Sequence, residues 1–470
     1  MIYSKLFQRA EKKEVSAALI GAGHFGTAVV TQAFHTPFFK VPVVIDRNLE
    51  AAKNAFRHAG VGEDDIIHCR TRSQVLEALE RGKWVVADSL SIIMDSPVDV
   101  IIEGTGSPEA GAANAMAAIR HGKHVAMINK ETDSVVGPIL HRKAKEAGLV
   151  YTPVEGDQHG LLMGLVSWAH AIGLRVISAG KARDVEYIFR PKEGEVVCEA
   201  DGVALKDTYR IRIPEAERYL FGFIEPGQVR YFTSKRRELL SEIPRVQPFD
   251  MCEMTIVANA TGIPIDTPEL HNPIVRIAEI PQVLSLQETG DGLLTGPALD
   301  VVTCLREENE PGLGGGVFIV VSCDSDYSRE ILINKGLLAN RERNSALIYR
   351  PYHLCGVETA ISVLCAGLLG LSTGSDEYLP RYDMIRIADR DLEAGEVIGD
   401  DHDLRFRSAI VTAVKLAEQG PVPAHFLNGL KLKRAVSKDT VITFEHVDIP
   451  RDSVLWHLRS EQDRVLANHG

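Results

Sequence analysis

The stretch Gly21-Ala22-Gly23-His24-Phe25-Gly26 directly follows the apolar run Ala17-Ala18-Leu19-Ile20, and a second apolar run, Val41 to Ile45, ends in Asp46 about twenty residues beyond the last glycine. A strand, a glycine turn, a helix and a second strand closed by a carboxylate make up the dinucleotide-binding fingerprint. The first glycine permits a tight strand-to-helix turn, the second lets a pyrophosphate approach the backbone, and the third lets the helix pack closely on the sheet. The N-terminus of that helix offers unpaired N–H groups to the phosphates. Gly21, Gly23, His24, Phe25 and Gly26 are therefore expected at the cofactor. Asp46 suits the ribose hydroxyls of NAD, and Arg47 beside it suits the 2′-phosphate of NADP, so the residues leave that choice open.

Four further pieces of the chain extend this reading into an alternating α/β region. Apolar runs at Trp84–Ala87, Val98–Glu103, His124–Ile128 and Leu149–Thr152 predict strands. Apolar spacing of three and four residues predicts helices at Phe25–Thr36, Leu49–His58, Ser73–Arg81, Ala110–His121 and Ile139–Ala147. The fold class expected is α/β: a Rossmann domain over residues 1–153, an α+β substrate and oligomerisation domain over 154–375, and a small β-rich domain over 376–470. In the central part, Val185–Phe189, Met254–Ala258 and Gly316–Ser322 read as strands, and the apolar helix within 341–371 is a candidate to pack back on the first domain. In the tail, Asp391–Ile398, Leu430–Val436 and Val441–Thr443 read as short strands.

At 470 residues the chain exceeds a single hydrophobic core. A formal net charge of −12 argues against nucleic acid or an anionic membrane as the partner, since both need clustered positive charge. Met1 to Val15 has no continuous apolar core, and the longest apolar run, Ala360 to Leu371, falls short of the roughly 20 residues that cross a bilayer. A cytoplasmic location is expected. Seven dispersed cysteines without a C-x-x-C pair read as reduced thiols.

Ligands in open α/β sheets lie beyond the C-terminal strand ends, which draws attention to three strand ends here. Gly104-Thr105-Gly106-Ser107 should face the cofactor; Ser107 and Pro108 also read as a helix cap and first turn. Asn129-Lys130 follows the next strand, with Asn129 at the cofactor and the Lys130 ammonium able to stabilise an alkoxide as hydride arrives at carbon. Glu155-Gly156-Asp157-Gln158-His159-Gly160 then sets carboxylates and a histidine at a domain junction. Glu155 and Asp157 are candidates for proton transfer or for a hard divalent cation, Mg or Mn. Lys181 and Arg183, with Arg350 and His353 farther on, supply separated cations of the kind that fix a phosphate.

In this order the motifs resemble the homoserine-dehydrogenase-like superfamily. The Glu-Gly-Asp-Gln-x-Gly stretch, the central domain and a C-terminal module similar to a SAF domain resemble, over the whole chain, the 1-deoxy-D-xylulose-5-phosphate reductoisomerase-like (DRL) oxidoreductases. That resemblance implies NADPH-dependent conversion of 1-deoxy-D-xylulose 5-phosphate to 2-C-methyl-D-erythritol 4-phosphate by a homodimer feeding isoprenoid precursor synthesis. It implies that Lys130 polarises the reacting oxygens, that Glu155, Asp157 and Lys181 complete the chemistry, and that Gln158, His159, Arg183, Arg350 and His353 hold a small phosphorylated sugar. His159 stands where the family more often carries proline. Two other readings compete: a dehydrogenase of another polyol, sugar phosphate or homoserine-like substrate, using NADH or NADPH, and a dinucleotide-binding sensor without turnover.

Overall fold

In the computed structural model, which describes residues 2–200, 205–244 and 248–466, the chain starts with helix α1 (Ile2–Arg9) and then alternates strands and helices. These are β1 (Val15–Ile20), α2 (His24–Ala33), β2 (Phe39–Ile45), α3 (Leu49–His58), β3 (Ile66–His68), α4 (Arg72–Glu80), β4 (Trp84–Ala87), β5 (Val100–Glu103), α5 (Pro108–Arg120), β6 (His124–Met127), α6 (Lys130–Glu146) and β7 (Tyr151–Pro153). The seven strands form one parallel sheet in the order β3-β4-β2-β1-β5-β6-β7. Helices cover both faces, so the C-terminal parts of the central strands are almost wholly Val, Ile, Leu and Ala and are buried. From β1 the chain moves out to one side, then returns to β5 on the other, and this reversal opens a crevice at the C-terminal ends of the two strands.

Two elements differ from the sequence expectation. The three-residue strand β3 is too short to carry a period. Helix α6 starts at Lys130 rather than Ile139: Gly137-Pro138 reads as a break, yet Pro138 lies inside the helix. At Gly137 the helix passes so close to Tyr378 and Asp133 that a Cβ would lie 2.6 Å from the tyrosine hydroxyl.

Helix α7 (Gln158–Ala171) leads into a mixed sheet. Its strands are β8 (Arg175–Ala182), β9 (Tyr187–Arg190), β10 (Glu195–Cys198) and β11 (Tyr209–Arg212), followed after helices α8 (Val229–Leu239) and α9 (Pro248–Thr261) by β12 (Ile274–Val275). Beyond helix α10 (Ile280–Val283) come β13 (Ala298–Arg306), β14 (Val317–Ser322), helix α11 (Asp326–Asn334), β15 (Leu338–Ala339) and β16 (Ala346–Arg350). β8 lies at the centre, parallel to β13 and antiparallel to β14. Met254–Ala258, expected as a strand, is helical and lies within α9. Every residue from Asp250 to Ala260 is buried, so no polar face marks a helical period and the run cannot be told from a buried strand. Helix α9 packs against α6, α7, β13 and the C-terminal strands, which makes it the shared core element of the molecule.

Helix α12 (Thr359–Leu364) returns to the first sheet, where Ala360, Val363 and Leu364 pack with Val15, Leu19 and Val29. The tail forms one antiparallel pair, β17 (Tyr382–Ala388) with β18 (Phe406–Thr412). The expected strands at 391–398, 430–436 and 441–443 are instead turns joined by isolated bridges, Leu392 to Val436, Val397 to Lys431 and Ile387 to Val441. Helix α13 (Val454–Val465) then packs on α5 and α6. Glu109 of α5 accepts hydrogen bonds from the Val454 and Leu455 N–H groups at 2.7 and 3.0 Å, and buried Arg459 grips Asp383 at 2.6 and 2.7 Å. Among the described residues no cysteine forms a disulfide. Among the described residues no helix is long and apolar enough to cross a membrane.

Candidate active site

The crevice between β1 and β5 encloses about 450 Å³ and is lined by Gly21, Gly23, Asp46, Arg47, Asp88, Gly104, Thr105, Ser107 and neighbours. Its walls are two glycine turns in contact. Gly21 has φ +94°, and a Cβ there would lie 2.4 Å from the Gly104 carbonyl oxygen; a Cβ on Gly26 would lie 2.2 Å from that of Gly21. Asp46 fixes the first turn, accepting from Ala22 N–H at 2.8 Å through one oxygen and from Asn48 N–H at 2.7 Å through the other. Glu103 fixes the second: Thr105 Oγ1 donates to it at 2.6 Å and Asn114 Nδ2 at 3.2 Å, while burial pushes its pKa up.

Ser107 both caps α5 and lines the crevice. Asn129, expected at the cofactor, caps α6 and donates to Thr105 Oγ1 at 3.1 Å and the Ser107 carbonyl at 2.9 Å. It acts as a staple between two strand ends and does not line the crevice. His24, Phe25, Gly26 and Gly106 also lie off its lining.

The first residue of α6, Lys130, extends to Glu253 of α9. The other Glu253 oxygen takes Lys181 Nζ of β8 at 2.7 Å, and Lys181 also reaches Asp250 at 2.8 Å. Both ammonium groups lie 5.7 Å from the centre of the Phe249 ring. Burial alone would lower the Lys130 pKa, but Asp157 and Glu253 overcome it and raise it well above the usual lysine value. Burial likewise opposes ionisation of Glu253, and the two lysines hold its pKa far below the usual range. Lys130 keeps 21% of its side chain exposed and Lys181 none. Of the two cations, Lys130 is the one partly open to solvent, whereas Lys181 is fully buried against Glu253 and Asp250.

Asp157, His159 and Glu253 bring one ligand atom each within 4.8 Å of one another. His159 is fully buried, its Nδ1 is 3.7 Å from Asp157, and neither ring nitrogen has a hydrogen-bond partner. Behind it, one oxygen of Asp133 takes the hydroxyls of Tyr151 at 2.7 Å and Tyr378 at 3.1 Å, and the other has no partner. Two unpartnered nitrogens in a buried ring between carboxylates fit a divalent metal, and an imidazole with two carboxylates suits Mn²⁺ better than Mg²⁺. Glu155 lies outside this trio: burial raises its pKa, with Glu358 adding to the rise and Arg350 opposing it.

The remaining expected residues are engaged elsewhere. Gln158 is buried, and its Nε2 donates to the carbonyls of Ala182 at 2.9 Å and Gly316 at 3.2 Å, clamping strands. Arg183 is 2% exposed, 3.0 Å from the Pro244 carbonyl and 3.9 Å from Asp250. Arg350 pairs with Glu358 and stacks on Tyr352. His353 Nδ1 meets the Gly315 carbonyl at 2.6 Å; burial disfavours its cation, but Cys355 and Asp184 prevail and push its pKa up to about 9.

Sequence reasoning missed Asp250 and Glu253. Their spacing of three puts both on one face of a helix, a signal hidden by reading the adjoining run as a strand.

Residues 249–359 match the family described as oxidoreductase DRL, catalytic domain, a stretch that opens with Phe249, Asp250 and Glu253. The 1-deoxy-D-xylulose 5-phosphate reductoisomerase of Clostridium perfringens is 33% identical over 88 residues, covering 19% of this chain and 21% of that protein. The enzyme of the same name from Rhodopirellula baltica is 32% identical over 133 residues, 28% of this chain and 27% of that protein. The chain thus matches 21% to 27% of the length of these relatives. Among solved structures, GenD2 from gentamicin A biosynthesis in complex with NAD is 16% identical, covers 37% of this chain and 44% of its own, and has a TM-score of 0.26. DOX-P reductoisomerase with fosmidomycin and magnesium is 15% identical over 36% and 46%, also with a TM-score of 0.26.

Proposed function

We propose that the chain is an NAD(P)-dependent oxidoreductase of the DRL type that acts on a small hydroxy-carbonyl sugar phosphate, converting 1-deoxy-D-xylulose 5-phosphate to 2-C-methyl-D-erythritol 4-phosphate as a homodimer. The observation that carries the proposal is Lys130, a partly exposed, permanently charged ammonium at the strand end next to the dinucleotide crevice. A bound dinucleotide supplies hydride. Lys130 holds a proton at Nζ where a carbonyl oxygen gains negative charge, and a fixed cation in a partly desolvated cleft stabilises that oxygen strongly. Glu253 holds Lys130 in place, and Lys181, itself paired with Asp250, holds the other oxygen of Glu253.

Asp157, His159 and Glu253 would hold a divalent cation, which when bound supplies Lewis acidity toward the hydroxy-carbonyl oxygens. Cationic His353 supports a phosphate subsite with Arg350, which would exchange Glu358 for the phosphate. Among the residues lining the crevice, Arg47 is the one cation against the carboxylates Asp46 and Asp88. That balance favours a free 2′-hydroxyl, hence NADH, over the NADPH that the resemblance implies.

The test follows NADH and NADPH oxidation with 1-deoxy-D-xylulose 5-phosphate, with Mg²⁺ or Mn²⁺ and with chelator, and identifies the product by mass spectrometry. Absence of turnover with both cofactors in the presence of metal defeats the reaction proposed.

A further inference from the structure

Buried polar groups, most of them from the C-terminal segment, converge on the first two turns of α6, the helix that begins with Lys130. His425 Nδ1 lies 3.0 Å from Ser134 Oγ, and its Nε2 lies 3.0 Å from Asp401. Asp401 also takes Arg386 of β17 at 3.1 Å, and Arg386 reaches Asn428 at 2.7 Å. Ser134 Oγ in turn donates to the Glu131 carbonyl at 3.3 Å, and Cys252 Sγ meets the Lys130 carbonyl at 3.2 Å. Ser134, His425, Asp401 and Arg386 are all less than a tenth exposed.

Asp401 accepts from Arg386 through one oxygen and meets His425 Nε2 through the other, so the ring is held between Asp401 and Ser134. The ring has one orientation that satisfies both ends. Apolar side chains of similar volume would dock the segment at least as firmly as this chain of charges. What the charges add is direction: His425 meets the Ser134 hydroxyl, Ser134 reaches the Glu131 carbonyl, and the neighbouring Lys130 carbonyl is held separately by Cys252 of α9.

We infer that His425, oriented by Asp401, is a positioning residue for Lys130: from a distant part of the chain it holds Ser134, and through Ser134 the Glu131 carbonyl of the first turn of α6, and so sets where the ammonium points. The anchoring stands on the hydrogen bonds alone, while its effect on turnover rests on the function proposed above. The C-terminal segment is then part of the catalytic centre and more than a cover for it.

The test uses the full chain with His425→Ala and, as an isosteric alternative should that variant not fold, Asp401→Asn. Hydrogen exchange followed by mass spectrometry is expected to quicken about tenfold in peptides from the first turn of α6, the effect of losing one buried hydrogen bond, with the cofactor crevice unchanged. Turnover is expected to fall about ten- to a hundredfold with KM for the dinucleotide unchanged, as when an outer partner of a reactive group is lost. Added imidazole is expected to restore part of kcat to His425→Ala. Unchanged exchange in that turn overturns the anchoring. Faster exchange with wild-type kcat, or a loss of kcat that imidazole leaves unrelieved and that matches an equal loss of dinucleotide binding, overturns the effect on Lys130. If the wild-type chain turns over no substrate while the variant loosens the turn, the anchoring is upheld and the oxidoreductase reading fails.

Discussion

Lys181 Nζ lies 2.7 Å from one oxygen of Glu253 while Lys130 binds the other, so a single carboxylate joins an open cation to a sealed one. Replacing Lys130 by Met removes the charge offered to the reacting oxygen but leaves the glycine turns untouched. Turnover is expected to fall by about 10²–10³, the effect of losing one strong oxyanion donor. Dinucleotide affinity, measured by fluorescence titration, is expected to stay within a factor of two or so, because Lys130 does not line the crevice.

Glu253→Gln leaves the buried Lys181 ammonium and the partly buried Lys130 ammonium with less counter-charge and is expected to cost about 3–5 kcal/mol. The pH dependence identifies the cause. The Glu253 pKa is depressed in the folded chain, so its stabilisation is present above the unfolded value of about 4.3 and is lost as pH falls toward the folded value. Thermal melts of the wild type are expected to drop steeply below about pH 4, whereas the variant has lost that contribution at every pH. A variant that remains as stable as wild type at pH 7 would rule out the clamp.

Asp46 sets the cofactor balance. Asp46→Ala removes one charge that repels a 2′-phosphate and also frees the Ala22 and Asn48 N–H groups. The ratio of kcat/KM for NADPH over NADH is expected to rise by about tenfold, a shift of about 1.4 kcal/mol. Steady-state rates with both cofactors read it directly.

His159 is expected to be a metal ligand. Mn²⁺ binding, followed by electron paramagnetic resonance and calorimetry without substrate, is expected to weaken by about tenfold or more in His159→Ala. Glu155→Gln should leave it unchanged, since Glu155 is outside the trio. Equal affinity in the His159 variant and wild type would exclude the ring as a ligand.

The parallel sheet and its crevice were legible because their signals are local: glycines at a strand end, a carboxylate at the next, caps such as Ser107. Lys130 was found because strand ends in such sheets mark the site. Lys181 also attracts notice in the sequence, but its burial and its pairing with Glu253 and Asp250 cannot be read from spacing. Asp250 and Glu253 escaped because α9 is apolar on every side, and periodicity carries no information when all faces are buried. Gln158 and Asn129 look like ligand-binding side chains in a sequence; in the fold their amides donate to backbone carbonyls, those of Ala182 and Ser107. His425 had no local signal, since its role depends on contacts across 291 residues.

Helix α13 lies on α5 and α6, and Glu109 of α5 binds its first N–H groups across 345 residues of chain. During synthesis the parallel-sheet region therefore emerges with one flank bare, and its apolar face is exposed until the far end of the chain arrives. Excised after β7, that region would carry a sticky surface in place of a finished one, so it is expected to aggregate when expressed by itself.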